Sequence, residues 1–550
     1  MKRRKFLKGL ATATAAPVVL NSVPMQALAQ NSELQKVMAS LDEDNDRVLV
    51  LIQLHGGNDG LNMVVPIDQY SKYYNLRPNI GISDTGNRKY INLDDTLPIA
   101  NQVGLHPDML GIKQLYDEGN AAIVQAVAYD NMNQSHFRSR DIWFMGGDYD
   151  DYLGSGWMGR YLDHLYPGYP DGYPTAAMPD PLGIEIGNSV SLAFHRAEGI
   201  PTAISLQNPE QFHDLITSVG VDPPESITDT YYGEELKWIM DIEKKSNQYA
   251  GRLLEVYENG SNTPGVIYPE SYHQPVTVDR FKTNGLSAQL KTIARMIKGG
   301  SKTKIFLCRM GGFDTHAFQV EAFNPSFGIH ATLLYYISSA VKAFMDDLKG
   351  LGLDDRVMGL TFSEFGRRAA SNGSYGTDHG TAAPMILFGK GVKAGVVGTN
   401  PDLDDLDGGN IKHQHDYRQV FTTVLQDWMC ASSSALDDTL FSEFADQKLP
   451  LVENALGLDD YSYGQKAELF SCFPNPVQST TTLKYEVQRG AEITISIHES
   501  NGRLLKTIKS EHHMPGEYEE EINLSDLPKG NYIYKLESKF SKLAKLLLKV

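Results

Sequence analysis

Four short motifs fall, in order, where predicted strands end: Gly56-Gly57-Asn58-Asp59-Gly60, Gly311-Gly312-Phe313-Asp314-Thr315-His316, Ser363-Glu364-Phe365-Gly366-Arg367 and Gly376-Thr377-Asp378-His379-Gly380. Each sets a carboxylate or an imidazole in a glycine-bracketed turn just past an apolar β run. The carboxyl edge of a parallel sheet is where α/β folds bind ligands. The chain is thereby constrained to an architecture in which distant turns meet at one sheet edge, and together the turns read as a single metal site.

The intervening sequence supports that architecture. Residues 47–54 are a continuous apolar run, as expected of a strand buried on both faces. His106-Pro107 opens a predicted helix with Met109, Leu110, Ile112, Leu115 and Tyr116 on it and Gly119 past its end. Further strands are expected at 121–128, 303–309, 357–362 and 385–388, and helices at 135–145 and 328–348. This alternation predicts an α/β fold with a doubly wound sheet covered by helices on both faces. The tyrosine-rich stretch 166–173 reads as a surface loop shaping a substrate opening. Asp416 and Gln419 read as a helix-capping pair.

Both ends of the chain look like addresses. Lys2-Arg3-Arg4-Lys5-Phe6-Leu7-Lys8 is a twin-arginine pattern, followed by a modest apolar stretch and the cleavage signal Ala27-Leu28-Ala29. Residues 1–29 are therefore expected to be a signal peptide for export to the periplasm, with an ordinary secretory signal as the alternative. No segment approaches the continuous apolar length of a membrane span, so the mature protein is expected to be soluble. At 550 residues the chain exceeds one typical domain. Its net charge of −18 argues against nucleic acid as a partner, because phosphate binding needs a basic face. Cys308, Cys430 and Cys472 are too few and too scattered for a disulfide framework or a cysteine zinc site, and Cys308 reads as core.

Helical periodicity ends near residue 465, where a domain boundary is expected after 30–465. Beyond it lie Phe473-Pro474-Asn475-Pro476-Val477, alternating strands at 482–487 and 493–497, an Asn501-Gly502 turn, a strand at 530–536 and a basic, apolar end at 542–550. This spacing predicts a small β-sandwich at 466–550. The segment resembles the C-terminal sorting domain of the Bacteroidetes type IX secretion system, which implies transport across the outer membrane and a secreted or cell-surface protein. An immunoglobulin-like spacer or carbohydrate-binding module is the alternative.

The central region resembles domain-of-unknown-function family 1501, within the alkaline phosphatase and sulfatase superfamily. The matching stretches are 56–62, Asn133-Gln134-Ser135-His136-Phe137-Arg138, 311–316, 363–367, 376–380 and Asp416-Tyr417-Arg418. The resemblance implies an alkaline phosphatase-like sheet and one or two divalent metals. By the same resemblance Asp59, Asp314, His316, Glu364 and His379 are the metal candidates, although Phe365 stands where the family pattern has a histidine. The chemistry motivates the same residues: a mixture of carboxylates and imidazoles suits Zn, Mn, Mg or Ca. Ser135, opening a helix, is the nucleophile candidate, and Arg138 or Arg140 the clamp for a phosphate or sulfate. Duller roles stay open: Asp59 as a turn cap, Glu364 in a salt bridge to Arg367 or Arg368, and Ser135 as an ordinary N-cap. Two functions follow. One is an exported, metal-dependent hydrolase of phosphate or sulfate esters, acting on an anionic or polysaccharide-derived substrate. The other is a non-catalytic surface or polysaccharide-processing partner with a degenerate site.

Overall fold

The computed structural model describes residues 45–219, 247–274, 281–453, 472–487, 491–499, 503–513, 516–538 and 542–550, with short strands at Val19–Leu20, Val23–Pro24 and Ala467–Leu469. The twin-arginine motif, the boundary near 465 and the Asn501-Gly502 turn lie outside the described residues. The chain forms two compact units, Glu43–Glu453 and Asn454–Val550 together with Met1–Asp42.

A nine-stranded sheet organises the larger unit, in the order Gly395–Val397, Ala121–Ala128, Ala383–Phe388, Val357–Phe362, Val48–His55, Ile305–Gly311, Gly183–Ile186 and Ala203–Leu206, with His415–Asp416 also paired to Ala121–Ala128. The apolar runs that predicted strands are buried along almost their whole length. Val48–His55 lies at the centre, parallel to both Ile305–Gly311 and Val357–Phe362. The sheet is mixed: Ala383–Phe388 pairs antiparallel with both of its neighbours. That reversal brings the amino end of Ala383–Phe388 to the edge where the other strands deliver their carboxyl ends. The turn carrying His379 therefore precedes its strand, whereas the sequence pattern suggested that it follows one.

The sheet is flanked by helices, as expected. Leu110–Asp117, Gly285–Lys298 and Ile329–Leu351 form one packed group, and Leu110–Asp117 starts three residues beyond Pro107, after a turn closed by Met109 N donating to His106 O. Asp416 caps Tyr417–Thr423 through a complete capping box with Gln419. Cys308 is fully buried in the core. The tyrosine-rich stretch 166–173 is a turn-rich surface loop, with Pro167, Gly168, Asp171 and Gly172 exposed, but its tyrosines turn inward. Tyr166 and Tyr169 are buried, and Tyr173 packs against both, because the apolar rings outweigh the turn signals around them.

In the smaller unit two antiparallel sheets enclose their own core. One joins Ala467–Leu469, Thr480–Val487 and Gly516–Asn523; the other joins Leu504–His513, Ala491–Glu499, Gly530–Glu537 and Lys542–Lys549. Leu483, Tyr485, Ile495, Ile497, Tyr534, Leu536 and Leu547 fill the space between alternating faces.

Candidate metal centre

The strand-end turns meet because their glycines let backbone approach backbone. A Cβ on Gly56, at φ +125°, would fall 2.3 Å from the Asp314 amide nitrogen, and one on Gly57, at φ +79°, would fall 2.4 Å from the Phe365 ring. Arg367 ties the same turns together from beneath. Its guanidinium is fully buried and donates to Gly57 O at 2.7 Å, Thr377 O at 3.0 Å, Phe313 O at 3.0 Å, Gly56 O, and Asp314 Oδ1 at 2.8 Å. Burial works against ionisation of Asp314. The hydrogen bond and charge of Arg367, with His136 and His316, overcome it and hold the carboxyl below its usual range.

Three imidazoles converge on that carboxylate. His316 Nε2 lies 3.1 Å and His379 Nε2 3.4 Å from Asp314 Oδ1, and His136 Nε2 lies 3.5 Å from Oδ2. Among the described residues, His136, Asp314 and His379 offer ligand atoms all within 4.8 Å of one another, a group suited to a metal ion. Burial lowers the pKa of His379, reinforced by the charges of Arg367 and His136 against the pull of Gln134 O and Asp314, which favours the neutral, ligating imidazole. His136 reaches the cluster because the loop after Ala121–Ala128 is fixed. Tyr129 Oη donates to Ser139 Oγ at 2.8 Å and accepts from Asn133 N at 3.1 Å, while the Asn133 side chain accepts from Ser135 N at 2.8 Å, so helix His136–Met145 starts beside Asp314.

Of the residues singled out by sequence, Asp314, His316 and His379 come together, and Glu364 joins them indirectly. Glu364 is fully buried; its Oε1 accepts from Gly56 N at 2.7 Å and faces His136 Nδ1 at 2.9 Å. It makes no salt bridge to Arg367, which is turned to Asp314. Asp59 is not brought to the cluster. Its carboxylate is fully buried and accepts from Arg77 Nη1 at 2.8 and 2.7 Å and from Gln319 Nε2 at 2.5 Å. Burial favours the neutral acid, yet Arg77, helped by His330 and Gln319, keeps the Asp59 carboxyl below its usual range. Ser135 is exposed at the start of the helix and makes no side-chain cap, so the plain N-cap role is not realised. Arg138 turns toward the carbonyls of Tyr149, at 2.8 Å, and Asp151, and lies 3.9 Å from the centre of the Tyr152 ring. Arg140 pairs with Asp141 at 3.0 Å.

The functional residue that sequence reasoning missed is His136, the neighbour of Ser135 within a motif already singled out. Phe365 packs beside both His136 and His379, its ring centre 4.8 Å from that of His136 and 4.7 Å from that of His379. A cleft of about 550 Å³ lined by Arg88, Asp108, His273, Tyr335 and Lys342 shares no residue with this cluster.

Residues 272–437 match the profile of a family described as "Protein of unknown function (DUF1501)", and residues 471–549 match "Secretion system C-terminal sorting domain". No curated protein matches the chain. Among solved structures, Ps i-CgsB in complex with k-i-k-neocarrahexaose aligns at 11% identity over 80% of this chain and 83% of its own, with a TM-score of 0.32. A protein in the alkaline phosphatase superfamily from Vibrio parahaemolyticus aligns at 8% identity over 84% of this chain and 82% of its own, with a TM-score of 0.29. BT1596, a 2-O GAG sulfatase, aligns at 11% identity over 87% of this chain and 85% of its own, with a TM-score of 0.23. These likenesses are too remote for any residue role or activity to be carried over. No helix of the described residues is long and apolar enough to cross a membrane. The chain thus carries the DUF1501 pattern at 272–437 and, at 471–549, the sorting domain that marks a secreted or cell-surface protein.

Proposed function

We propose that this protein is an exported, metal-dependent hydrolase of phosphate or sulfate esters carried by an anionic or polysaccharide-derived substrate. The observation that carries the reading is the convergence of His136, His316 and His379 through Nε2 on the Asp314 carboxylate. The donor set fits a divalent ion: His136 Nε2 is buried without a hydrogen-bond partner. A bound ion would supply Lewis-acid polarisation of the ester.

The chain's own groups account for the rest. The amide groups at the start of helix His136–Met145 favour an anionic group beside Ser135, whose uncapped hydroxyl is the nucleophile in this reading. Gln134 O holds His379 through Nδ1 at 2.8 Å, so the segment that bears the serine also orients a ligand. Arg367 stabilises the turns and does not reach substrate, since its donors are engaged by backbone and Asp314. Arg138 would have to leave the Tyr149 and Asp151 carbonyls to act as a clamp.

The second reading, a non-catalytic surface partner, draws on two observations: Asp59 is paired with Arg77 and Phe365 packs against two ligands, which leaves no second ion group among the described residues. The test is hydrolysis of aryl phosphate and aryl sulfate, then of sulfated oligosaccharides, by wild type, chelator-treated protein and Ser135→Ala. Hydrolysis that disappears with chelator supports the enzyme, and its loss in Ser135→Ala supports the serine. Hydrolysis of none of the esters by metal-loaded protein would move the assignment to the binding partner.

A further inference from the structure

The three imidazoles are not merely near one carboxylate; each is held so that the same nitrogen faces it. His136 Nδ1 faces Glu364 Oε1 at 2.9 Å, His379 Nδ1 faces Gln134 O at 2.8 Å, and His316 Nδ1 faces Asp378 Oδ1 at 3.4 Å. Carbonyl and carboxylate oxygens accept, so with an ion at Nε2 each Nδ1 proton has an acceptor behind it. Metal-binding histidines are characteristically oriented in this way by an acceptor behind them.

Two buried atoms lack any hydrogen-bond partner at this place, His136 Nε2 and Glu364 Oε2. A buried imidazole nitrogen left open is unfavourable unless something else fills it. The separations of 3.1, 3.4 and 3.5 Å between the imidazole nitrogens and the Asp314 oxygens agree with the spacing of about 3.3 Å between donors that each lie about 2.0–2.1 Å from a shared centre at tetrahedral angles. Two imidazole nitrogens with one carboxylate suit calcium or magnesium poorly, since these take mostly oxygen.

We infer that His136, His379 and Asp314 form a one-ion site selective for a borderline divalent metal of the zinc class, with His316 beside it, and that Glu364 is a positioning residue that orients His136. The inference rests on the metal-dependent reading above. It goes further in naming the ion class, the number of ions and the residue behind His136. A second ion is excluded by the same geometry: Arg77 neutralises Asp59, and the Phe365 ring lies beside His136 and His379 where further donors would be needed.

The test titrates metal-stripped full-length protein with zinc, and separately with calcium, by calorimetry, and records the visible absorption of the cobalt(II)-loaded chain. One zinc per chain is expected, with calcium at least about a hundredfold weaker, and an intense cobalt band typical of four-coordinate sites. His136→Ala should weaken zinc by more than about a hundredfold and alter the cobalt band. If that variant does not fold, His136→Gln, which keeps a side chain at the helix start, gives the same reading. Glu364→Gln should weaken zinc about 10–100-fold while leaving the melting temperature of the metal-free chain unchanged or higher, an outcome that a purely structural Glu364 would not give. Two ions per chain, calcium bound as tightly as zinc, or full zinc affinity with an unaltered cobalt band in the His136 variant would overturn the inference. The two proposals fail separately: zinc bound as described with no ester cleaved removes the hydrolase, whereas ester cleavage on bound calcium removes this site assignment alone.

Discussion

Asp59 and Asp314 follow neighbouring parallel strands, and both sit in glycine turns. In sequence they look like two ligands of one ion, yet the fold gives them opposite fates. Asp59 is fully buried against Arg77, a permanent cation, with Gln319 on the same oxygens. Asp314 has its side chain 49% exposed and, besides Arg367, faces three imidazoles. Both carboxylates meet a guanidinium, Arg77 at Asp59 and Arg367 at Asp314 Oδ1; the one sealed from solvent becomes part of the framework, whereas the half-exposed one ringed by imidazoles stays available to an ion. What separates them is exposure and the neighbouring imidazoles, not the turn.

The comparison breaks most visibly at Asp59. Asp59→Ala leaves the Arg77 guanidinium buried opposite no anion, and a loss of about 3–5 kcal/mol in chemical unfolding is expected, with metal content per folded chain unchanged. Asp314→Ala should do the reverse. Metal affinity measured by calorimetry falls more than about a hundredfold, roughly 2.7 kcal/mol, while the loss of stability is smaller than for Asp59→Ala, since Asp314 is 49% exposed and water can replace its carboxylate beside Arg367.

Acid should act on the Asp59 side as well. Burial is the main cause that lowers His330 to about 4, against the pull of Asp59 and with Arg77 and Arg367 assisting; burial likewise lowers His106 to about 3, against Asp108 and Asp59 and with His330 and Arg88 assisting. Both are neutral in the fold. Below pH about 6.5 the unfolded chain binds protons that the folded chain refuses, so stability falls with pH until each folded value is reached, by up to about 1.4 kcal/mol per pH unit per group. His330→Gln should flatten the slope of unfolding midpoint against pH between 4 and 6. The smallest effect is expected at Arg138. Arg138→Ala removes contacts to Tyr149, Asp151 and Tyr152 only, so KM for an aryl ester should change by less than about threefold.

Sequence carried the strands well because buried parallel strands are continuous apolar runs, and 47–54, 121–128 and 357–362 all lie where expected. It did not reveal the reversal of Ala383–Phe388, since an apolar run has no direction until it pairs. The fate of Asp59 depends on Arg77 and Gln319, the latter 260 residues away, and such pairings leave no local signal. His136 and Ser135 share one helix start, and which of them meets Asp314 depends on the direction of that helix and on Glu364, 228 residues beyond His136. The glycines were legible for the right reason: Gly56 and Gly57 stand where a side chain would collide with the next turn.

The donors of this cluster are far apart in sequence: His136 follows the second of the long strands, and His379 immediately precedes the reversed one. A nascent chain therefore cannot offer a complete set until Ala383–Phe388 has zipped between its neighbours. On the proposed reading, ion capture follows completion of the sheet, because half-made or misregistered molecules present only scattered donors.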